Sequence, residues 1–142
     1  MKSHQKSWRI KDPIIKGMDV IRKTGQPENA LANELLDEAL RMRMHPGIVF
    51  AEGVTGRRAR IAGTGIEVWE VVDEYKVAKC EEDLKEAFPH LTDRQILAAY
   101  KYYRAYPAEI DDLIRINETI TAESVAGLFS FRKEGLGDFS DR

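Results

Sequence analysis

Five prolines, at positions 13, 27, 46, 89 and 107, bound every helix this chain can form. Proline has no backbone N–H and a fixed φ, so it opens helices, ends them or stands between them. Asp12-Pro13 reads as a helix start, with Asp12 as cap and Pro13 in the first helical position. Ile14, Met18 and Ile21 follow at helical spacing, and Thr24-Gly25-Gln26-Pro27 ends the run, Gly25 suiting a left-handed cap. A second helix is predicted over residues 28–42, striped by Leu31, Leu35, Leu36, Ala39 and Leu40 and stopped by His45-Pro46-Gly47.

The next segment changes period. Ile48-Val49-Phe50 and residues 57–61 read as two short strands around Gly53-Val54-Thr55-Gly56, hence a β-hairpin arm. Gly63-Thr64-Gly65 breaks the chain again, and helices are expected over 67–75, 81–88, 92–106 and 108–117. Thr92-Asp93-Arg94-Gln95 forms a capping box at the start of the third of these. Along it, Ile96, Leu97, Ala99, Tyr100 and Tyr103 are expected inside, while Tyr102 and Tyr106 face elsewhere and suit a protein interface. Residues 118–142 read as a tail with at most two turns over 121–128, mobile beyond Phe131. Its Phe129 and Phe131 suit either a partner's groove or packing back onto their own domain.

Before the first helix, residues 6–11 alternate, with Ser7, Arg9 and Lys11 on one side and Trp8 and Ile10 on the other, the period of a strand. Strand, helix, Gly turn and leucine-striped helix in some 40 residues resemble a ribbon-helix-helix DNA-binding domain over residues 6–43. The departures are a slightly short first helix and Pro27 in the turn. A unit this small buries its apolar face poorly, and a lone strand has no ladder; pairing two copies across a two-fold axis solves both problems. The resemblance implies a homodimer whose two-stranded ribbon enters the major groove of double-stranded DNA. Ser7, Arg9 and Lys11 would face the bases there, Arg9 suiting guanine, and the start of the second helix at Asn29 would meet a phosphate. The other reading of these residues is an amphipathic helical hairpin with an irregular arm.

Charge is unevenly spread. Residues 1–24 carry a balance of +5, whereas residues 66–142 carry −7. A basic end can meet a polyanion, or it can simply be solvated. Helices 81–88 and 92–106 make a helix-turn-helix pattern with Arg94 and Gln95 at its reading edge. Glu81, Glu82, Asp83 and Glu86 beside it repel phosphate, so the motif could equally be a packing unit. Arg57, Arg58 and Arg60 could contact phosphates, pair with the acidic helices, or meet a partner.

A longer pattern is also present: Gly63-Thr64, Val68-Trp69, Pro89-His90-Leu91-Thr92 and Tyr102-Tyr103. Over residues 46–114 it resembles the winged-helix proteins of domain-of-unknown-function family 433, departing at Gly65-Ile66, where that family more often has Arg-Ile. The resemblance implies an antitoxin similar to VapB: repression of its own promoter as a dimer, neutralisation of a PIN-like ribonuclease toxin, and no catalysis.

Enzyme chemistry finds little support. His4, His45 and His90 lie far apart, and no HxH, HExxH, Cys/His pair or phosphate-cradling glycine loop occurs. Asp111-Asp112 or Glu81-Glu82-Asp83 could hold a divalent metal, but such runs are usually solvated helix faces, so no metal and no cofactor is expected. One cysteine, Cys80, excludes an internal disulfide framework. With no apolar run of membrane-spanning length and no signal-like start, a cytoplasmic protein is expected. The predicted architecture is therefore mainly α. A ribbon-helix-helix dimerisation unit (residues 1–45) precedes a small winged-helix-like helical domain with a short β-hairpin arm (46–117) and a tail (118–142).

Overall fold

The computed structural model describes residues 1–53 and 56–136, with side chains described up to residue 128. The chain is mainly helical and divides into two compact units, Met1–Met44 and His45–Arg142.

The first unit holds α1 (Asp12–Ile21) and α2 (Glu28–Met44). Helix α1 begins one residue earlier than expected: Asp12 is helical, and the extended Lys11 is the cap. The Lys11 carbonyl accepts from the N–H groups of Ile14 and Ile15 at 3.0 and 3.2 Å, and Pro13 occupies the first turn, where no intrahelical N–H is needed. Gly25 takes φ +80°, the left-handed geometry foreseen for it. Pro27 is an ordinary helix entry here, because its carbonyl accepts from Ala30 and Leu31 at 3.1 and 3.2 Å and so opens α2.

No strand forms over residues 6–11. A β-ladder is a property of two segments, and the partner envisaged for this one lies on a second copy, which a single chain cannot supply. Met18 and Leu31 are the buried apolar residues of the unit, while Ile14, Ile21, Leu36 and Leu40 are exposed.

The second unit begins with β1 (Ile48–Gly53) and β2 (Gly56–Ile61), an antiparallel pair in which Ile48 faces Ile61, Phe50 faces Ala59 and Glu52 faces Arg57. The alternation places Ile48, Phe50, Ala59 and Ile61 on one face, and that face joins the core. A tight return at Gly63 (φ +77°) follows, tied by the Thr64 hydroxyl to Ile61 and Ile66 at 2.9 and 3.1 Å. Helix α3 (Val68–Val77) opens with a capping box between Glu67 and Glu70. Then come α4 (Glu81–Ala87), α5 (Asp93–Ala105) and α6 (Pro107–Leu136).

Ile48, Ile61, Val68, Val72, Tyr102 and Ile110 are the largest wholly buried side chains, and each aliphatic one contributes about 1.5–3 kcal/mol. Helix α3 packs on α5 and α6, and the hairpin closes one end of this core. Helix α6 does not stop near residue 117 but continues to Leu136. Among its described side chains the last buried one is Ile114, and residues 118–128 are exposed throughout.

Candidate nucleic-acid and partner interfaces

In the first unit the arm is polar, basic and exposed. Trp8 (63% exposed) and Ile10 line a cavity against Asn29, Asn33 and Leu36 of α2. Ser7 lines that cavity too, whereas Arg9 and Lys11 do not, so the three residues expected on one free face are divided. Arg9 and Lys11 remain available to an anion. At the start of α2 the Ala30 N–H is already engaged by Pro27, leaving the Glu28 and Asn29 N–H groups at the open end. The Asn29 carbonyl accepts from the Asn33 side chain at 2.7 Å. A phosphate placed there would also meet the Glu28 carboxylate, which weakens that contact.

In the second unit the arginines of β2 do not form one basic edge. Strand alternation puts Arg57 on the face of Ala59 and Ile61, and Arg58 and Arg60 on the other. Arg57 donates to the Phe50 carbonyl at 3.2 Å and sits opposite Glu52. Arg58 lines a cavity with Glu67, Trp69 and the Leu113–Ile116–Ile120 side of α6. Arg60 bridges to Glu67 through its backbone, and its Nε is buried without a hydrogen-bond partner among the described residues.

At the helix-turn-helix, Gln95 is committed to the cap. Its side-chain oxygen accepts from the Thr92 N–H at 2.8 Å, while the Thr92 hydroxyl accepts from the Gln95 N–H at 3.2 Å. An oxygen held in that box is not offered to a base edge. Asp93 and Arg94 remain at the helix start, and Lys85 ties Asp93 to Glu81 at 3.2 Å on each side. Arg94 thus stands beside an acidic α4 whose first turn holds Glu81, Glu82 and Asp83.

The tyrosines of α5 are rearranged relative to expectation. Tyr102 is 0% exposed; its hydroxyl donates to Glu109 at 2.7 Å, and its ring lies edge-on to His45 and Phe50 with centroids 5.4 and 6.3 Å away. Tyr106 is half-buried against Tyr102 and His45. Tyr102, with no exposed surface, is not a docking residue. The inward stripe is Ala99, Tyr102, Tyr103 and Tyr106, a 3/4 spacing that was visible in the sequence beside the competing stripe through Tyr100. Tyr100 instead leans on Tyr75, with ring centroids 5.3 Å apart, at the outer side of α3 and α5. The side chains of Phe129 and Phe131 lie outside the described residues.

Two carboxylates considered for metal binding are paired with cations. Asp111 accepts from Lys76 at 2.6 Å and from the Tyr103 hydroxyl at 2.9 Å, and Asp112 accepts from Arg115 at 2.6 Å. The Lys76 hydrogen bond, then that of Tyr103, holds the Asp111 carboxyl below its usual range. Lys76 is raised in turn, chiefly by Asp111. Among the described residues no three His, Cys, Asp or Glu side chains converge as a metal site requires, and no helix is long and apolar enough to cross a membrane.

Residues 48–103, from the hairpin to the inward face of α5, match the family model described as "Protein of unknown function (DUF433)". The chain is also similar to a DUF433 member protein from Anabaena variabilis ATCC 29413, known from a crystal structure. The identity is 30%, the match covers 74% of this chain and 99% of that one, and the TM-score is 0.44. Curated proteins give no match.

Proposed function

Starting from a chain that belongs to the DUF433 family, we propose a cytoplasmic, dimeric DNA-binding regulator of the antitoxin kind, without catalytic activity. The observation that carries this reading is the composition of the first unit. It buries Met18 and Leu31 while Trp8, Ile10, Ile14, Ile21, Leu36 and Leu40 stay exposed, and it carries a basic arm. Monomeric proteins rarely leave so much apolar surface uncovered, and a second copy is the simplest cover. Pairing the two arms as antiparallel strands completes a ribbon-helix-helix dimer and presents Arg9 and Lys11 from each copy to one major groove.

The partner toxin, a PIN-like ribonuclease, is met by the exposed part of α6, where Ile116, Ile120, Val125 and Leu128 are presented to solvent. Residues 119–131 contain a single charge, Glu123, which suits an apolar groove. The winged-helix-like second unit then acts mainly as the scaffold from which α6 projects.

The test is a gel-shift titration against DNA from upstream of the chain's own gene. A sequence-selective shift is expected that weakens with salt and is lost in Arg9→Ala/Lys11→Ala, because those side chains read the bases. A second reading, a protein-interaction adaptor that ignores DNA, is favoured by the capping role of Gln95 and the acidic setting of α5. It predicts no shift of that DNA beyond what random DNA shows.

A further inference from the structure

The side of the second unit where α3, α4 and α5 meet carries a slot that neither DNA binding nor α6 uses. Leu84 and Ile96 form its floor, and Tyr75 (51% exposed), Leu97 (49% exposed) and Tyr100 form its walls. The volume is about 230 Å³. One rim is fixed by Lys85, which bonds Glu81 on α4 and Asp93 on α5 and so holds the two helices at a set separation.

The surroundings are acidic. Between residues 73 and 94 there are seven carboxylates against four basic side chains. Two of those four are already engaged, Lys76 with Asp111 and Lys85 with Glu81 and Asp93. An apolar slot with a negative border repels nucleic acid. A second copy paired through this same surface would bring an equally acidic face against it, and like charges brought together across an interface cost several kcal/mol. The ligand chemistry that satisfies both features is an apolar side chain flanked by cations.

We propose that this slot is a docking site for a basic segment of a partner protein, anchored by one bulky apolar side chain seated over Leu84 and Ile96 and against Tyr75, Leu97 and Tyr100. The two rings supply flat apolar walls, and Glu82, Asp83 and Glu86 along α4 receive the flanking Lys or Arg side chains. The site is independent of the arm and of α6.

The experiment uses the full chain and a short fluorescein-labelled peptide with a central Leu-Phe pair flanked by lysines, followed by anisotropy. Saturable one-to-one binding is expected, weakened at least about tenfold in Leu97→Glu and in Tyr100→Ala. Similar weakening is expected in Glu82→Lys/Glu86→Lys, and with control peptides bearing serines for the apolar pair or glutamates for the lysines. Ile120→Glu, on α6, is expected to bind as the parent does. Circular dichroism melts of each variant separate loss of the site from loss of the fold. Binding that survives Leu97→Glu, or that ignores the serine replacement, would mean charge attraction alone and overturn the proposal. Absence of binding at millimolar peptide would do the same.

Discussion

Tyr102→Ala removes a wholly buried side chain from the middle of the second unit, and its cost follows from what that side chain touches. Truncating a core aromatic costs about 3–5 kcal/mol through reduced burial and the void left behind. Here the ring also gives up edge-on contacts with His45 and Phe50 and the close approach of Tyr106. Tyr102→Phe isolates the hydroxyl. A hydrogen bond to a carboxylate contributes about 1.5–3 kcal/mol, and the exposure of Glu109 brings the figure here to about 1 kcal/mol. In a unit of this size, residues 45–142, each kcal/mol shifts Tm by about 4–8 °C. Tyr102→Phe should therefore melt about 5 °C lower and Tyr102→Ala about 15–25 °C lower, if it folds at all. The assay is a thermal melt in a Trp8→Phe background, where Trp69 is the remaining tryptophan and reports on the second unit. Tyr100→Ala, on the outer side of α5, serves as the control and should cost no more than about 1 kcal/mol. If Tyr102→Ala and Tyr100→Ala melted together, the inward stripe through Ala99, Tyr102 and Tyr106 would be wrong.

Three further outcomes are expected. Gln95→Ala should lower stability by about 0.5–1 kcal/mol by leaving the Thr92 N–H without its side-chain acceptor and leave any DNA affinity unchanged, measured by urea melts and gel shift; a selective loss of DNA affinity would restore Gln95 as a base reader. Asp111 is depressed below its ordinary 3.8, so its contribution is present above that pH and disappears as pH falls through the depressed value. Lys76 is raised above 10.5, so its contribution is present below that pH and is lost as pH rises through the raised value. Asp111→Asn should accordingly flatten the acid limb of a stability–pH curve, and an unchanged acid limb would assign it to other carboxylates. Leu36→Lys/Leu40→Lys should convert a dimer into a monomer in sedimentation while the Trp69 melt stays put; a dimer that persisted would place self-association elsewhere.

Helix starts were the most legible features, because they depend on neighbours in sequence. Pro13, Pro107 and the Thr92–Gln95 box stand where the sequence alone puts them, and the glycine-flanked hairpin does too. Properties set by distant partners were not legible. Two overlapping stripes run along α5 at helical spacing, through Tyr100 or through Tyr102, and only the packing of Ala99 and Tyr102 into the core beside α3 and α6 decides between them. The length of α6 was misjudged because Thr119, Ile120, Thr121, Ser124 and Val125 are weak helix formers, while neither proline nor glycine interrupts the run before Gly127. Gln95 satisfied two sequence patterns at once, a cap and a reading edge, and the geometry of its side-chain oxygen separates them.

The 30 residues of α6 make a rod about 45 Å long, of which the stretch from 118 to 128 is exposed at every residue and meets its own unit where Ile120 borders Arg58 and Trp69. A helix stretch that gains little burial opens locally at a free-energy cost well below that of the core. Proteases cut opened backbone, so this stretch is where cleavage is expected to begin. Whatever covers Ile120, Val125 and Leu128 closes that door by mass action. A partner that occupied this face would tie the amount of surviving chain to its own supply, with uncovered copies cut sooner than covered ones.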